Sequence, residues 1–216
     1  MKNIIFIAPP AAGKGTMSEI LMEKYNYKHI STGDILREMA KGNDDMANKL
    51  KEMLASGMLV PDETVYEALR RRLQNNDLVD GFILDGFPRN LEQAREYEKI
   101  LLETGNNLGV VIYLDTPRDI LEKRITGRRI CKDCGATYNV LTGVNEPKQE
   151  GVCDKCGGSL YQRNDDNRES FKTRYETFLD KTYPLLDYYE SKNVLHRIKS
   201  VDITNTMSEI EEIISD

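Results

Sequence analysis

Cysteine is missing from the first 130 residues and from the last 60, long apolar runs are missing throughout, and basic residues are outnumbered by acidic ones. No stretch approaches the length of a membrane span, and the N-terminus enters an apolar strand without a signal-peptide core, so a cytoplasmic protein is expected. Thirty Lys and Arg against 36 Asp and Glu leave a formal net charge of −6. That balance argues against polyanion binding as the main activity, and any phosphate chemistry must use a local cluster of arginines. Internal repeats and low-complexity tracts are also missing. The 216 residues are expected to form one domain, or one core carrying small insertions.

What is present concentrates first in residues 4–16, IIFIAPPAAGKGT. Ile4, Ile5, Phe6 and Ile7 feed a small-residue turn, then Gly13-Lys14-Gly15-Thr16, after which Met17, Ile20 and Leu21 begin a helical pattern. A buried strand, a tight loop and a helix start outline a phosphate-binding loop. Backbone N–H groups and a helix N-terminus face the anion, and lysine adds a point charge. The strict pattern is not met, because Ala8 stands at its first glycine and Gly15 separates Lys14 from Thr16. An ordinary strand-to-helix turn stays the alternative.

Further along, His29-Ile30-Ser31-Thr32-Gly33-Asp34 ends a second strand and opens a helix with Ile35, Leu36 and Met39. Met46, Leu50 and Leu54 mark another, closed by Gly57. Two short helices without a strand cannot fold alone, so residues 31–60 read as an insertion. Pro61-Asp62 restarts the core with a helix carrying Val65, Leu69 and Leu73. Residues 81–85 form a strand ending in Asp85, followed by Gly86-Phe87-Pro88-Arg89 and by Asn90-x-x-Gln93 with capping-box spacing. Residues 110–114 are the next strand, and Thr116-Pro117-x-Asp119 is expected to cap its helix, with proline at the first helical position. A helical pattern returns at Phe171, Tyr175 and Phe178 and breaks near Pro184. Residues 194–198 make a last strand, and Thr206-x-x-Glu209 is expected to cap the closing helix. Five strands alternating with helices predict a parallel sheet covered on both faces, with ligands outside the carboxyl ends of its strands.

Cys131-x2-Cys134 and Cys153-x2-Cys156 are separated by 18 residues, the spacing of a four-thiolate zinc site. Gly135 and Gly157-Gly158 follow the two pairs and supply the backbone freedom such turns use. Two disulfides are the alternative, opposed by a reducing compartment. A four-thiolate zinc has no open position, so it would stabilise and not catalyse, contributing on the order of 10 kcal/mol to folding this segment. Lys and Arg only slightly outnumber Asp and Glu around the cysteines, which argues against a nucleic-acid-binding ribbon.

Arginine stands at each junction between core and insertion: Arg37, Arg89, Arg124 with Arg128, Arg163 and Arg174. Taken singly these read as solvated surface charges. As a set they suit phosphoryl transfer, where a planar guanidinium meets two phosphate oxygens and stays charged. Asp34 and Asp85 are the best-placed carboxylates for water-mediated Mg²⁺ contact, a helix cap being the alternative for Asp34.

Taken together, residues 8–16, His-Ile-Ser-Thr-Gly-Asp (29–34), Leu-Val-Pro-Asp-Glu (59–63), Leu-Asp-Gly-Phe-Pro-Arg (84–89), Gly-Arg-Arg-Ile-Cys (127–131) and Tyr-Gln-Arg-x-Asp-Asp (161–166) resemble adenylate kinase. The resemblance is to the bacterial long form with a zinc-bearing lid and covers the whole chain. It implies a three-layer P-loop core over 1–30, 61–127 and 165–216, an AMP-binding insertion at 31–60 and a zinc-ribbon-like lid at 128–164. It also implies a monomer performing ATP + AMP = 2 ADP with Mg²⁺, and no nucleic-acid or membrane partner. By this resemblance Ala11, Ala12, Gly13, Lys14, Gly15 and Thr16 would surround the ATP phosphates, with Arg124, Arg128, Thr137, Tyr138 and Ser200 completing the ATP side. Thr32, Arg37, Met58, Leu59, Val60, Gly86, Phe87, Pro88, Arg89 and Gln93 would hold AMP, Gln93 and the 58–60 backbone reading its base. Arg163 and Arg174 would close over the reacting phosphates of both nucleotides, so Lys14, Arg89, Arg124, Arg128, Arg163 and Arg174 would carry the transfer.

The chain departs from that family's pattern at Ala8 and Ala11, where glycines are usual, at Arg168, where an acidic residue is usual, and at Lys199-Ser200. An alanine costs roughly 1 kcal/mol or more if its position needs φ > 0. A nucleotide binder that lost catalysis through its loop, and a kinase with another monophosphate acceptor, are the competing readings.

Overall fold

The computed structural model describes residues 2–56, 60–75, 78 and 81–215. The chain runs β1 (Ile4–Ile7), α1 (Lys14–Tyr25), β2 (Lys28–Ser31), α2 (Thr32–Met39), α3 (Asp45–Ser56), α4 (Asp62–Leu73), β3 (Phe82–Asp85), α5 (Leu91–Thr104), β4 (Val110–Asp115) and α6 (Arg118–Gly127). Three short strands follow, β5 (Arg128–Cys131), β6 (Thr137–Asn139) and β7 (Leu160–Tyr161). The chain closes with α7 (Arg168–Thr177), a π-helical turn at Phe178–Thr182, α8 (Leu185–Glu190), β8 (Leu195–Lys199) and α9 (Ile203–Ser215).

Five strands pair in the order β2-β3-β1-β4-β8, all parallel, as the strand–helix alternation predicts. Because both faces are covered, β1 is apolar at every position and its side chains divide by parity. Ile5 and Ile7 pack with Leu84, Val111 and Tyr113 against α4, α5 and α8. Ile4 and Phe6 pack with Ile83 and Ile112 against α1, α6 and α9. β1 lies between β3 and β4, where the chain's winding reverses, and ligand crevices open at such points.

Two smaller units ride on this sheet. α2 and α3 bury Leu36, Ala40 and Leu50 against Ala68 of α4. Gly57, expected to close α3, lies outside the described residues. The three-stranded antiparallel sheet β6-β5-β7 and its turns bury Ile130, Cys131, Tyr138 and Cys153, with Ala136 and Leu160 partly covered.

Two expected caps are corrected. Thr116 does not cap α6: its hydroxyl is buried and donates to the Ser200 carbonyl, and Pro117 itself takes the N-cap position. α9 starts before Thr206, whose hydroxyl donates to the Asp202 carbonyl, while the Asp202 carboxylate accepts the Asn205 N–H at 2.9 Å. Thr116 finds a partner 84 residues away that local spacing does not reveal, whereas Thr206 bonds back one helical turn.

Candidate active site at the carboxyl ends of the strands

β1 ends at Ile7 and α1 begins at Lys14, so residues 8–13 form the turn between them. Gly13 takes the N-cap position with φ +96° and offers no side chain to the first-turn N–H groups, which contain no acidic neighbour. An N-terminus left without a side-chain cap keeps its donors and its positive dipole end for an anion. Ala11 sits at φ +66°, in the left-handed region where glycine is at ease. Ala8 is not among the positive-φ residues, so only one of the two glycine-to-alanine departures is strained.

The loop is tied down from beneath. The buried Ala12 carbonyl accepts from Ser200 Oγ at 3.2 Å and from Arg124 Nη1 at 3.3 Å. Arg124 also donates to the carbonyls of Ser200 and Val201, and burial holds its guanidinium below its ordinary value. Ser200 is itself buried. These two sequence-predicted residues therefore meet at the loop from α6 and from the end of β8.

Lys14 forms an ion pair with Asp85 at the carboxyl end of β3. His29 Nε2 lies 3.3 Å from the other Asp85 oxygen. The register that pairs Ser31 with Asp85 and His29 with Ile83 brings His29 beside this carboxylate. Burial alone would raise the Asp85 carboxyl, but the hydrogen bond from His29 and the charge of Lys14 outweigh it. The group is held well below the usual carboxylate range. His29 was not among the residues expected here; its alternation with buried Ile30 on a strand ending at the site was the available signal.

Around the neighbouring turn, Gly86 has φ +77°, and a Cβ there would come within 3.3 Å of Arg89 Nη2 and 3.5 Å of Thr32 Oγ1. The glycine thus lets Thr32 and Arg89 approach one another across β2 and β3. Arg89 Nε donates to the Gly86 carbonyl, and Phe87 is buried edge-on between Tyr66 and Tyr97. Asn90 caps α5 by accepting the Gln93 N–H at 2.9 Å, as its spacing predicts. Pro88 is buried and Val60 partly so, whereas Met58 and Leu59 lie outside the described residues. Asp34 does not cap α2; Ser31 does, accepting the Asp34 N–H, and the Asp34 carboxylate pairs with Arg37 at 2.5 Å. That hydrogen bond is the chief reason its carboxyl is lowered.

The remaining arginines do not converge on one point. Arg128 grips Asp166 with two hydrogen bonds, one of 2.9 Å, and the Asp166 carboxylate is completely buried. Arg174 pairs with Asp165 at 3.2 Å on the surface, and the Arg163 side chain is exposed. Thr137 is exposed at the start of β6, while Tyr138 turns inward, its hydroxyl 3.3 Å from Cys153 Sγ and accepting the Asp154 N–H. A separate cavity of about 490 Å³ between α4 and α5, lined by Tyr66, Arg70, Arg95 and Glu96 among others, contains none of these groups.

The four cysteines are unbonded, and their Sγ atoms all lie within 4.8 Å of one another. Cys131 faces Cys156 and Cys134 faces Cys153, each at 3.5 Å. A tetrahedral zinc with Zn–S of about 2.3 Å needs sulfurs about 3.8 Å apart, so the cluster fits that metal with little adjustment. Gly135 and Gly157, at φ +74° and +75°, return N–H groups to the Cys131 and Cys153 carbonyls and shape two equivalent turns. Among the described residues, this is the one group of three or more metal-ligating side chains.

A parallel sheet, a glycine-lysine loop feeding an uncapped helix at its winding reversal, and a lysine–aspartate pair there define a P-loop protein. The family model described as adenylate kinase matches residues 6–194. Adenylate kinases of Desulforamulus reducens, Listeria monocytogenes serotype 4a and Geobacillus sp. strain WCH70 are 44%, 45% and 45% identical. Those alignments cover 98–99% of this chain and 97–99% of the relatives. The chain belongs to the adenylate kinase family. Among the described residues, no helix is long and apolar enough to cross a membrane.

Proposed function

We propose that two nucleotides meet over the phosphate loop, ATP against the start of α1 and AMP over Thr32, Gly86 and Gln93. As an adenylate kinase, the chain is a nucleoside monophosphate kinase whose reaction is ATP + AMP = 2 ADP, with Mg²⁺ accompanying ATP. The observation that carries the placement is the Lys14–Asp85 pair at the uncapped end of α1. Lys14 exchanges the carboxylate for a phosphoryl oxygen, and the backbone N–H groups of 11–16 take the remaining charge. Asp85, still held by His29, and Asp34 are the carboxylates that would hold Mg²⁺ through water. Mg²⁺ supplies charge neutralisation of the bridged phosphoryl oxygens.

Phosphoryl transfer leaves the protein little covalent work, so positioning, charge and exclusion of water dominate. Arg37, Arg89, Arg124, Arg128 and Arg174 each hold a protein oxygen and can trade it for phosphate oxygens, two of which the planar guanidinium can meet at once. Arg163, Thr137 and the backbone around Tyr138 approach from the lid. In this reading 1–30, 61–127 and 165–216 act as the core, 31–60 as the AMP-binding part and 128–164 as the lid. Cys131, Cys134, Cys153 and Cys156 would hold zinc as four thiolates, which fills its coordination and leaves it organising the lid. The proposed protein is a cytoplasmic monomer acting on small nucleotides, without a nucleic-acid or membrane partner; of these points the unbonded cysteines support only the reducing compartment.

A coupled assay for ADP formation tests the site. Lys14→Met is expected to lower kcat by about 10²-fold or more, the scale of losing one charge-stabilising donor. Turnover undiminished in that variant would remove Lys14 and the loop from the chemistry. A panel of AMP, CMP, UMP and GMP is expected to favour AMP.

A further inference from the structure

The carboxamide of Gln93 is held at both ends. Its Oε1 accepts the Arg89 backbone N–H at 2.8 Å, and its Nε2 donates to Asp62 Oδ1 at 2.9 Å. In a capping box this side chain would return to the N–H of the cap residue, Asn90; here it reaches one residue further back and leaves its amino end for α4. The two partners differ in kind. A backbone N–H can only donate, and an ionised carboxylate can only accept. Turning the amide over would set its NH₂ against an N–H and its oxygen against a carboxylate, two repulsive contacts in place of two bonds. Gln93 is partly buried, and after these bonds it keeps one free hydrogen and one free lone pair.

We infer that Asp62 is a positioning residue for base selection, fixing the Gln93 amide in the orientation that reads adenine. The inference rests on the reading of Gln93 as the contact to the AMP base. Adenine offers an acceptor at N1 and a donor at N6, which match one free N–H and one free lone pair in this orientation. Hypoxanthine and guanine offer the reverse, a donor at N1 and an acceptor at O6. An unrestrained glutamine could turn over and accept them; one pinned by Asp62 and the Arg89 N–H cannot. Asp62 suits the task because it opens α4 immediately after Pro61, and Thr64 and Val65 bond back to the Pro61 carbonyl, so its backbone is fixed.

The test is the ratio of kcat/KM for AMP to that for IMP, measured in wild type, Asp62→Asn and Gln93→Leu. Asparagine at 62 can present either a donor or an acceptor and so releases the lock without changing shape. The ratio is expected to fall on the order of tenfold in Asp62→Asn, about the worth of one well-formed bidentate contact. The loss should lie in KM for the monophosphate, with kcat for AMP nearly preserved. Gln93→Leu should lose the ratio as well. Loss in Gln93→Leu with an unchanged ratio in Asp62→Asn would overturn the role of Asp62 alone. An unchanged ratio in Gln93→Leu would overturn the reading of Gln93 and the inference with it. A uniform drop in turnover at constant ratio in Asp62→Asn would make Asp62 merely structural and also overturn the inference.

Discussion

The parallel sheet and the cysteine-bearing segment are two solutions to the same problem at different sizes. The sheet buries two apolar clusters, one on each face, and Ile4, Ile83, Ile112 and Leu114 among others have no exposed surface at all. Burying each such side chain contributes about 1.5–3 kcal/mol, and many of them together outweigh the entropy of ordering the chain. Residues 128–164 have three short strands and a cluster of two cysteines and one tyrosine. That is too little apolar surface to hold a fold, and four converging thiols stand where a core would be. On the proposed reading, a unit held by one zinc at one end could be small and move as a piece, whereas a unit held by dispersed burial could not.

The largest expected effect breaks the small unit alone. Cys153→Ser, or zinc removal by a chelator, withdraws an interaction on the order of 10 kcal/mol from residues 128–164. Limited proteolysis should then cut within that segment while the sheet's thermal transition persists. A single cooperative loss of both regions would show that they are not separate units. Metal analysis should return one zinc per chain in wild type.

The reciprocal break is Ile112→Ala, in the middle of β4. It should cost the global transition about 2–5 kcal/mol in denaturant melts and leave zinc content unchanged.

A smaller effect concerns the polar edge of the sheet. Asp85 has a depressed carboxyl, so its contribution is present above the usual aspartate value near pH 4 and is lost as pH falls below it. Asp85→Asn should destabilise the protein at neutral pH by about 1–3 kcal/mol, since the charge and one of the two acceptor oxygens shared by Lys14 and His29 are lost. The gap from wild type should narrow steadily in melts below pH 4. A gap that stays constant with pH would place the effect in packing and not in charge.

The smallest is a gain. Ala11→Gly relieves a left-handed backbone, offset in part by the greater freedom of glycine in the unfolded chain, and should raise stability by up to about 1 kcal/mol. Steady-state kinetics of the same variant would report whether the strain also misplaces the loop's N–H groups.

The elements most legible in the sequence were those whose signal is local. The apolar run at Ile4–Ile7 implied a strand buried on both faces, and the Asn90 to Gln93 spacing implied a helix start. The two Cys-x2-Cys pairs, each followed by glycine, implied matched turns, and the sulfurs do converge. Thr116 shows the limit, because the hydroxyl that could cap the next helix instead bonds the Ser200 carbonyl 84 residues away. Arg128 shows it too, since its two-pronged grip on Asp166 crosses 38 residues.

By itself, then, the order of residues determined the strand–helix alternation, the small-residue loop, the sulfur spacing and the family. The first three are set by periodicity, spacing or the conformational range of single residues, which neighbours in the chain already impose, and the family is carried by the set of motifs that resemble it. Folding decided that His29 and Lys14 would share Asp85, that Arg124 and Ser200 would brace Ala12 from below, and that Asp62 would take one end of Gln93. Those pairings depend on strand register and helix packing, which bring together groups with no reason to meet until the sheet has formed.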